Sequence, residues 1–211
     1  MTFSEEQYLL EHSMAEPSAL AMLYRQTHLR RLYPRMCCEP LQGRLLVMLT
    51  RMIAPKRILE LGTFSGYSAL CFAEGMPPGA ELHTIEIDDE AAPDILAAFA
   101  QSPRAADIHL HIGDALALIP GLSSLPWDLV YIDANKRSYS EYYQAVKPFV
   151  RPGGYSLADN TLWSDQILDP ERHDPQTEGI RRFNDLVAAD SDAEVVMLPL
   201  YDGLSIIRIK P

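Results

Sequence analysis

Two segments of the sequence end in carboxylate and amide side chains that together suit a divalent cation. Residues 127–133 are an apolar run ending in Asp133, and residues 154–160 are another run ending in Asp159 and Asn160. If both runs are neighbouring strands of a parallel sheet, their carboxyl ends open onto one crevice, where these three side chains converge. Three oxygen ligands with open positions favour Mg²⁺, with Mn²⁺ or Ca²⁺ as substitutes. In the alternative interpretation, Asp159 and Asn160 form a turn and Asp133 caps a helix.

A second group of residues favours a nucleotide-like cofactor. Residues 57–61 predict a short buried strand, and Gly62 to Gly66 form a turn of mainly small residues before a helix. Backbone at glycine can approach a ligand closely, and the first N–H groups of a helix are free donors. The spacing differs from G-x-G-x-x-G, and Glu60, just before the turn, would repel a pyrophosphate. We therefore predict S-adenosylmethionine (SAM), whose amino group suits that carboxylate.

Two further carboxylates extend the cofactor prediction. Glu86 ends a second apolar strand. It follows Gly62 by roughly 20 residues, the spacing expected of a carboxylate that binds a ribose. Asp114 follows the third predicted strand and is either a simple helix N-cap or a partner for the adenine amino group. Taken alone, Glu60 or Glu86 is equally typical of a solvated strand end, but their combination and spacing favour the cofactor.

A pair of histidines offers weaker metal-binding potential. His109 and His111 are two apart on the third predicted strand, so they share one face. The sequence supplies no third ligand nearby, which favours ordinary half-buried strand residues over a metal site.

The elements that must position these residues alternate between strand and helix from residue 57 onward, which predicts a parallel sheet with helices on both faces. The predicted strands are 57–61, 82–87, 107–112, 127–133, 154–159, 193–198 and 204–209, and the predicted helices between and after them are 67–75, 90–100, 114–119, 139–149 and 176–189. The last two strands flank Pro-Leu-Tyr-Asp-Gly, which predicts an antiparallel hairpin. This hairpin agrees with the methyltransferase variant of the Rossmann-like fold.

The amino-terminal segment is predicted to be helical. A capping box at Ser4 precedes two short helices on either side of Pro17, and residues 41–53 form a third helix that ends before Pro55. We expect residues 1–54 to contribute to the cofactor and substrate site, and residues 55–211 to form the Rossmann-like core of a single domain.

Composition limits the classes of function. The chain has 211 residues, 47% of them hydrophobic, and a formal net charge of -11, which counts against nonspecific binding to nucleic acid. No signal peptide or apolar run of roughly 20 residues is found, so no membrane association is expected. Three cysteines suit reduced thiols and, with the other features, a cytoplasmic location.

Several stretches resemble the cation-dependent O-methyltransferases, the family that includes catechol O-methyltransferase and the caffeoyl-coenzyme A enzymes. They are ELGTFSGYS at 60–68, IDANKRSYSEYY at 132–143, RPGGYSLADNTLW at 151–163 and LPLYDGLSII at 198–207. The resemblance begins near Tyr8, continues through Glu39-Pro-Leu-Gln-Gly43, and covers nearly the whole chain. It implies a class I methyltransferase fold with a mostly parallel sheet of seven strands, SAM as methyl donor, and a homodimer.

The resemblance also assigns roles to individual residues. The metal ligands fall on Asp133, Asp159 and Asn160, and a catalytic lysine falls on Lys136. The cofactor positions fall on Met36, Glu60, Gly62, Ser68, Glu86, Asp114 and Ala115, with Asp133 contributing to the cofactor site and to catalysis as well. Many relatives have Asp-Ala-Asp-Lys where this chain has Asp133-Ala-Asn-Lys136, so Asn135 replaces a carboxylate.

These expectations combine into a mechanism for a vicinal diol. Chelation of two phenolic oxygens by the cation favours the phenolate, and Lys136 is a candidate to take the proton, although a lysine after a strand is most often solvated. Trp163 is either a wall for a flat aromatic substrate or a core residue. The favoured function is methylation of a small catechol-like aromatic. The alternatives are a hydroxyuridine methyltransferase acting on transfer RNA, and a cofactor-binding protein without catalysis.

Overall fold

The computed structural model describes residues 5–211, without the side chain of Glu6, so the predicted capping box at Ser4 lies outside the described residues. Seven strands form one sheet. They are β1 (Arg57–Leu61), β2 (Glu81–Glu86), β3 (Ile108–Ile112), β4 (Trp127–Ile132), β5 (Val150–Asp159), β6 (Ala193–Leu198) and β7 (Leu204–Ile209). Their order is β3-β2-β1-β4-β5-β7-β6, and β7 runs antiparallel to both of its neighbours. The predicted parallel sheet with a closing antiparallel hairpin is confirmed.

The described part of the chain contains eight α-helices. They are α1 (Glu5–Glu11), α2 (Ser18–Arg30), α3 (Pro40–Ile53), α4 (Tyr67–Gly75), α5 (Ala92–Phe99), α6 (Ala115–Leu122), α7 (Tyr139–Val146) and α8 (Pro175–Ala188). One core cluster joins one face of the sheet to α2–α5, and a second joins the other face to α6–α8. Alternate strand residues point to opposite faces, so Ile58 enters the first cluster and Leu59 the second. The prediction of helices on both faces is therefore confirmed.

The main boundary error concerns β5, which starts at Val150 rather than at residue 154. The Pro-Gly-Gly sequence there is typical of a turn, yet it lies within the strand where the register against β4 shifts, and Gly153 adopts φ 73°. Glycine tolerates that left-handed conformation, so the chain passes the irregularity without leaving the sheet. Other predicted helix ends shift because short 3-10 turns occupy Asp89–Ala91 and Lys147–Phe149.

The histidine pair is not as isolated as the sequence suggested. Parallel pairing places His83 of β2 directly beside His109 of β3, and Glu81 offers a further ligand atom close to both. The prediction that no third ligand lies near His109 and His111 is therefore wrong, because partners on a neighbouring strand are distant in sequence.

Within residues 5–211, no helix combines the length and the apolar character that crossing a membrane requires.

Candidate functional site

The strand order reverses between β1 and β4, and the predicted functional residues gather at the carboxyl ends of these strands and their neighbours. The backbone N–H of Asp133 donates to the carbonyl oxygen of Leu61 at 2.9 Å, which joins the two strand ends. Gly62 follows with φ 96°, and a Cβ atom there would lie 2.2 Å from the backbone oxygen of Asp133. Only glycine fits this approach, so the glycine turn packs directly against the backbone of Asp133, a candidate metal ligand.

Glu60 is fully buried beside this turn. Burial raises the pKa of its carboxyl to about 8, and hydroxyl groups of Ser68 and Thr84 partly offset that effect. Thr84 donates to Oε2 at 2.5 Å, whereas Oε1 is buried and has no hydrogen-bond partner among the described residues. A buried acceptor without a partner costs free energy unless a ligand supplies a donor. The site therefore fits a ligand with an amino group, as SAM has.

Glu86 lies at the end of β2, across the turn from β1. Its Oε2 accepts from the backbone N–H of Phe64 at 2.7 Å, and its Oε1 accepts from the N–H groups of Ile87 and Asp88. These bonds fix the carboxylate against the glycine turn. Glu86 thus occupies the rim of the crevice where a ribose-binding carboxylate was predicted.

The remaining predicted cofactor residues surround the same turn. Asp114 caps α6, with Oδ1 accepting from the N–H of Ala117 at 3.1 Å, so the N-cap interpretation is confirmed. The preceding N–H of Gly113 donates to the Glu86 carbonyl at 2.8 Å, which brings Asp114 and Ala115 beside β2. Ser68 is buried in the first turn of α4.

Met36 approaches the glycine turn from the amino-terminal segment. It ends a short 3-10 helix and is 60% exposed. The next residue, Cys37, lies with its Sγ 3.7 Å from Oγ of Ser65 in the turn. This contact places Met36 beside the predicted cofactor site, where the Met36 side chain is open to solvent.

Asp133 and Asp159 are close enough to interact electrostatically. Burial raises the pKa of Asp133 to about 7, the Lys136 ammonium opposes this rise, and the negative charge of Asp159 adds to it. Two mutually repelling, largely buried carboxylates are a donor set that suits a hard divalent cation. Asn160 follows Asp159 in the left-handed region, with φ 56°, and its backbone N–H donates to Oδ1 of Asp159 at 2.8 Å.

Two residues that the sequence interpretation missed hold Asp159 in place. Gln42 of α3 donates its Nε2 to Oδ2 at 2.7 Å, and the hydroxyl of Tyr131 donates to the same oxygen at 2.8 Å. Tyr131 precedes Asp133 by two residues and therefore lies on the same face of the strand. This alternation is a sequence signal that could have identified Tyr131. Gln42 lies within the quoted 39–43 motif, but its partner is remote in sequence.

Lys136 is fixed rather than solvated. Its Nζ lies 2.6 Å from Oδ1 of Asp133 and 2.7 Å from the hydroxyl oxygen of Tyr139, and the side chain is only 12% exposed. Asn135 caps this short turn by accepting from the N–H of Arg137 at 3.2 Å. The neutral amide therefore has a local structural use as the cap of this turn.

Trp163 lies three residues beyond Asn160 and is half-buried. It packs against the core cluster beneath α6–α8, as the core interpretation predicts. Its backbone is in the left-handed region, and its N–H donates to the carbonyl oxygens of Asn160 and Asp202. The segment that carries it is thus tied to the loop between β6 and β7.

Comparison with known proteins agrees with this geometry. Residues 10–210 match the family described as O-methyltransferase. The catechol O-methyltransferase of Niastella koreensis is 31% identical over 185 residues, 84% of each chain. The crystal structure of the O-methyltransferase TomG from Streptomyces achromogenes in complex with SAM superimposes with a TM-score of 0.87 and 30% identity, over 99% of this chain and 100% of that one.

A second solved structure has the same relationship. The O-methyltransferase from Bacillus cereus in complex with SAH superimposes with a TM-score of 0.89 and 27% identity, over 97% of this chain and 96% of that one. The matched family spans nearly the whole described chain, including every element that forms the crevice. The chain therefore belongs to the O-methyltransferase family and is a SAM-dependent O-methyltransferase.

Proposed function

We propose that this enzyme transfers the methyl group of SAM to a hydroxyl of a small catechol-like aromatic, with Mg²⁺ as a required cation. The observation that carries the proposal is the grouping of Asp133, Asp159 and Lys136 at adjacent strand ends, beside the buried Glu60. Carboxylates suited to a cation, with a fixed amine beside them, match the needs of a vicinal diol better than those of a monophenol.

The cofactor is assigned to the crevice around the glycine turn. Glu60 receives the amino group of SAM, Glu86 binds the ribose, and Asp114 and Ala115 border the adenine. Met36, Gly62, Ser68 and Asp133 complete this assignment. When bound, SAM supplies a methyl group already activated by the sulfonium. The unpartnered Oε1 of Glu60 and the close approach at Gly62 support the placement.

The cation is assigned to Asp133, Asp159 and Asn160. When bound, Mg²⁺ supplies Lewis acidity that favours the ionised form of a chelated phenol. Gln42 and Tyr131 orient Asp159 through its Oδ2 atom, which leaves the carboxylate little freedom to rotate. Orienting partners of this kind typically determine how well metal ligands are held.

Lys136 is assigned the role of accepting the proton from the acceptor hydroxyl. Its amine must be neutral to take that proton, and the positive charge of a cation held beside it would favour the neutral amine, while Asp133 stabilises the ammonium that results. Tyr139 fixes the position of Nζ through its hydroxyl, which also donates to the carbonyl oxygen of Ile132 at 3.2 Å. Trp163 is assigned to the wall against which a flat aromatic ring rests, using the part of its side chain that the core leaves open.

The chain is further proposed to act as a single domain over residues 1–211 and to assemble as a homodimer in the cytoplasm, with nucleic acid disfavoured as a partner by the net charge of -11. The free, buried thiols of Cys37, Cys38 and Cys71 support a reducing compartment. Light scattering of the purified protein tests the dimer, because a molecular mass near 23.7 kDa would contradict it.

Methyl transfer from labelled SAM tests the main proposal. The acceptors are a catechol, a caffeoyl ester, a monophenol, and transfer RNA with and without hydroxyuridine, each assayed with Mg²⁺, with chelator, and with Mg²⁺ restored. We expect Mg²⁺-dependent labelling of the vicinal diols and none of the monophenol. Labelling of RNA alone, or labelling of the catechol that persists in chelator, would contradict the proposal.

A further inference from the structure

A cluster of metal-ligating side chains lies on the sheet far from the candidate catalytic site. Glu81 and His83 belong to β2 and His109 to the edge strand β3, and one ligand atom from each lies within 4.8 Å of the others. Glu81 and Glu86 are at opposite ends of β2, so at about 3.3 Å per residue they are roughly 16 Å apart. The methyltransferase mechanism makes no use of this cluster.

The geometry between the ligand atoms suits a small tetrahedral ion. Nε2 of His83 lies 3.5 Å from Oε1 of Glu81. Two ligands bonded to Zn²⁺ at about 2.0–2.1 Å and a tetrahedral angle are about 3.3 Å apart, so Glu81 and His83 need little movement to share one ion, and the exposed His109 side chain must approach them. His109 is exposed, which leaves space for a water molecule as a further ligand.

His83 is the central member of the cluster, and its Nε2 atom is buried without a hydrogen-bond partner among the described residues. Its other ring nitrogen, Nδ1, lies 2.9 Å from Nε2 of His111, and the planes of the two rings are parallel to within 3°, with their centres 5.2 Å apart. A proton carried on Nδ1 and shared with His111 leaves the Nε2 lone pair for a metal. Metal-bound histidines usually have such a partner on the second nitrogen.

The neighbouring cation Arg57 is compatible with this arrangement. Its Nε donates to Oε1 of Glu81 at 2.5 Å, and its guanidinium lies 4.0 Å from the centre of the Trp127 ring. A carboxylate has about four lone-pair positions, so one bond to arginine leaves others for an ion. Arg57 thereby fixes the direction of the Glu81 side chain.

We propose that Glu81, His83 and His109 form a second metal site that binds Zn²⁺, with His111 positioning His83. Two histidines and one glutamate, with an open position for water, are a recognised zinc donor set. An ion held there joins the edge strand β3 to β2.

Zn²⁺ binding in the presence of excess Mg²⁺ tests the site, because Mg²⁺ competes for the carboxylates of the catalytic crevice but hardly for imidazole. We expect one equivalent of Mg²⁺-resistant Zn²⁺ by calorimetry in the intact protein. In His109→Ala, the exposed ligand is removed with little risk to folding, and Kd should rise at least 10-fold. His173→Ala is the matched control, since that exposed histidine pairs with Glu178 elsewhere.

Imidazole resonances in the NMR spectrum provide a second measurement on the unmodified chain. The protein has 6 histidines, and Zn²⁺ should shift the signals of His83, His109 and His111 while leaving those of His12, His28 and His173 in place. Absence of a Mg²⁺-resistant equivalent, or unchanged affinity in His109→Ala, would overturn the proposal.

Discussion

At the scale of single residues, the amine of Lys136 is held between the Asp133 carboxylate and the Tyr139 hydroxyl. A solvated lysine would lose side-chain entropy in such an arrangement without much gain, because exposed ion pairs contribute little. This lysine is mostly buried, so its attachment to Asp133 is maintained where water competes weakly. The general alternative, a lysine directed into solvent after a strand, does not apply here.

Lys136→Ala should lower kcat by roughly 10²- to 10⁴-fold while leaving the Kd for SAM nearly unchanged, because loss of a general base affects the proton transfer alone. Steady-state kinetics with the best acceptor and calorimetry with SAM measure the two quantities. Lys136→Arg keeps the charge near Asp133 but cannot accept the proton, so it should not restore turnover.

Lys147→Ala is the control for this variant. Lys147 directly follows α7 and pairs with Asp190 and Asp192 outside the crevice. Its turnover should equal that of the wild type. Wild-type turnover in Lys136→Ala would remove this residue from the mechanism.

Glu60 should make the stability of the ligand-free protein depend on pH. Its pKa is raised from 4.5 to about 8 by burial, so between these values the folded state holds the proton that the unfolded chain releases. The free energy of unfolding contributed by this group therefore falls as pH rises through that window. Glu60→Gln does not titrate and should lack this decline.

Urea denaturation of both proteins at pH 5 and pH 8.5, without SAM, measures the effect. The difference in stability between variant and wild type should change by on the order of a few kcal/mol, at about 1.4 kcal/mol per pKa unit. Equal pH dependence in the two proteins would show that Glu60 is not the titrating group.

At the scale of elements, α8 fixes the turn that carries Lys136. Gly179 lies where α8 meets that turn, and a Cβ atom there would be 2.4 Å from the carbonyl oxygen of Lys136 and 2.8 Å from Cα of Arg137. Both contacts are to backbone, which cannot move aside as a flexible side chain would. The helix thus holds the Lys136 turn through close packing at a glycine, and Arg182 of the same helix adds a hydrogen bond to the Arg137 carbonyl oxygen at 3.3 Å.

Gly179→Ala should destabilise the protein by about 1–3 kcal/mol, the usual cost of overpacking, and should lower kcat because the Lys136 turn is displaced. Denaturant unfolding and kinetics measure the two effects. Gly121→Ala in α6 is the matched control, since its added Cβ meets nothing within 4 Å. This control should be neutral or stabilised by up to about 1 kcal/mol, with normal turnover, and a loss of activity equal to that of Gly179→Ala would contradict the explanation.

The types and order of elements could be predicted because apolar runs and helical periodicity are local signals. The start of β5 could not, because Pro-Gly-Gly is a turn signal, and only pairing with β4 on both sides of it, at Val150 and from Tyr155 onward, keeps this segment in the sheet. The contact between His83 and His109 similarly depends on strand order, which the sequence does not state.

The same distinction explains the candidate site. Asp133 and Asp159 were predictable, because each ends an apolar strand and parallel strands share one carboxyl edge. The bond from Gln42 to Asp159 joins α3 to β5 and spans 117 positions, and no local pattern specifies such a contact. The sequence therefore predicts which carboxylates meet at the strand ends better than which residues orient them.

At the scale of the whole molecule, the crevice is formed where the strand order reverses, between β1 and β4. Segments from both halves of the chain meet there, including the turn after β1 and the ends of β4 and β5. A ligand that contacts both halves is bound by the folded state alone, since the unfolded chain cannot bring them together. Binding of SAM should consequently stabilise the entire fold rather than one loop.

SAM at 100 times its Kd should contribute about 2.7 kcal/mol to the free energy of unfolding. At about 2–4 °C per kcal/mol for a chain of this length, Tm should rise by roughly 5–11 °C.

Glu86→Gln loses one of the two carboxylate oxygens predicted to bind the ribose, so its shift at the same SAM concentration should be much smaller. Glu90→Gln changes an exposed carboxylate in the segment after β2 and should keep the full shift. Each variant is compared with its own ligand-free Tm, so a change in basal stability does not affect the result. Equal shifts in Glu86→Gln and wild type would place the ribose elsewhere in the crevice.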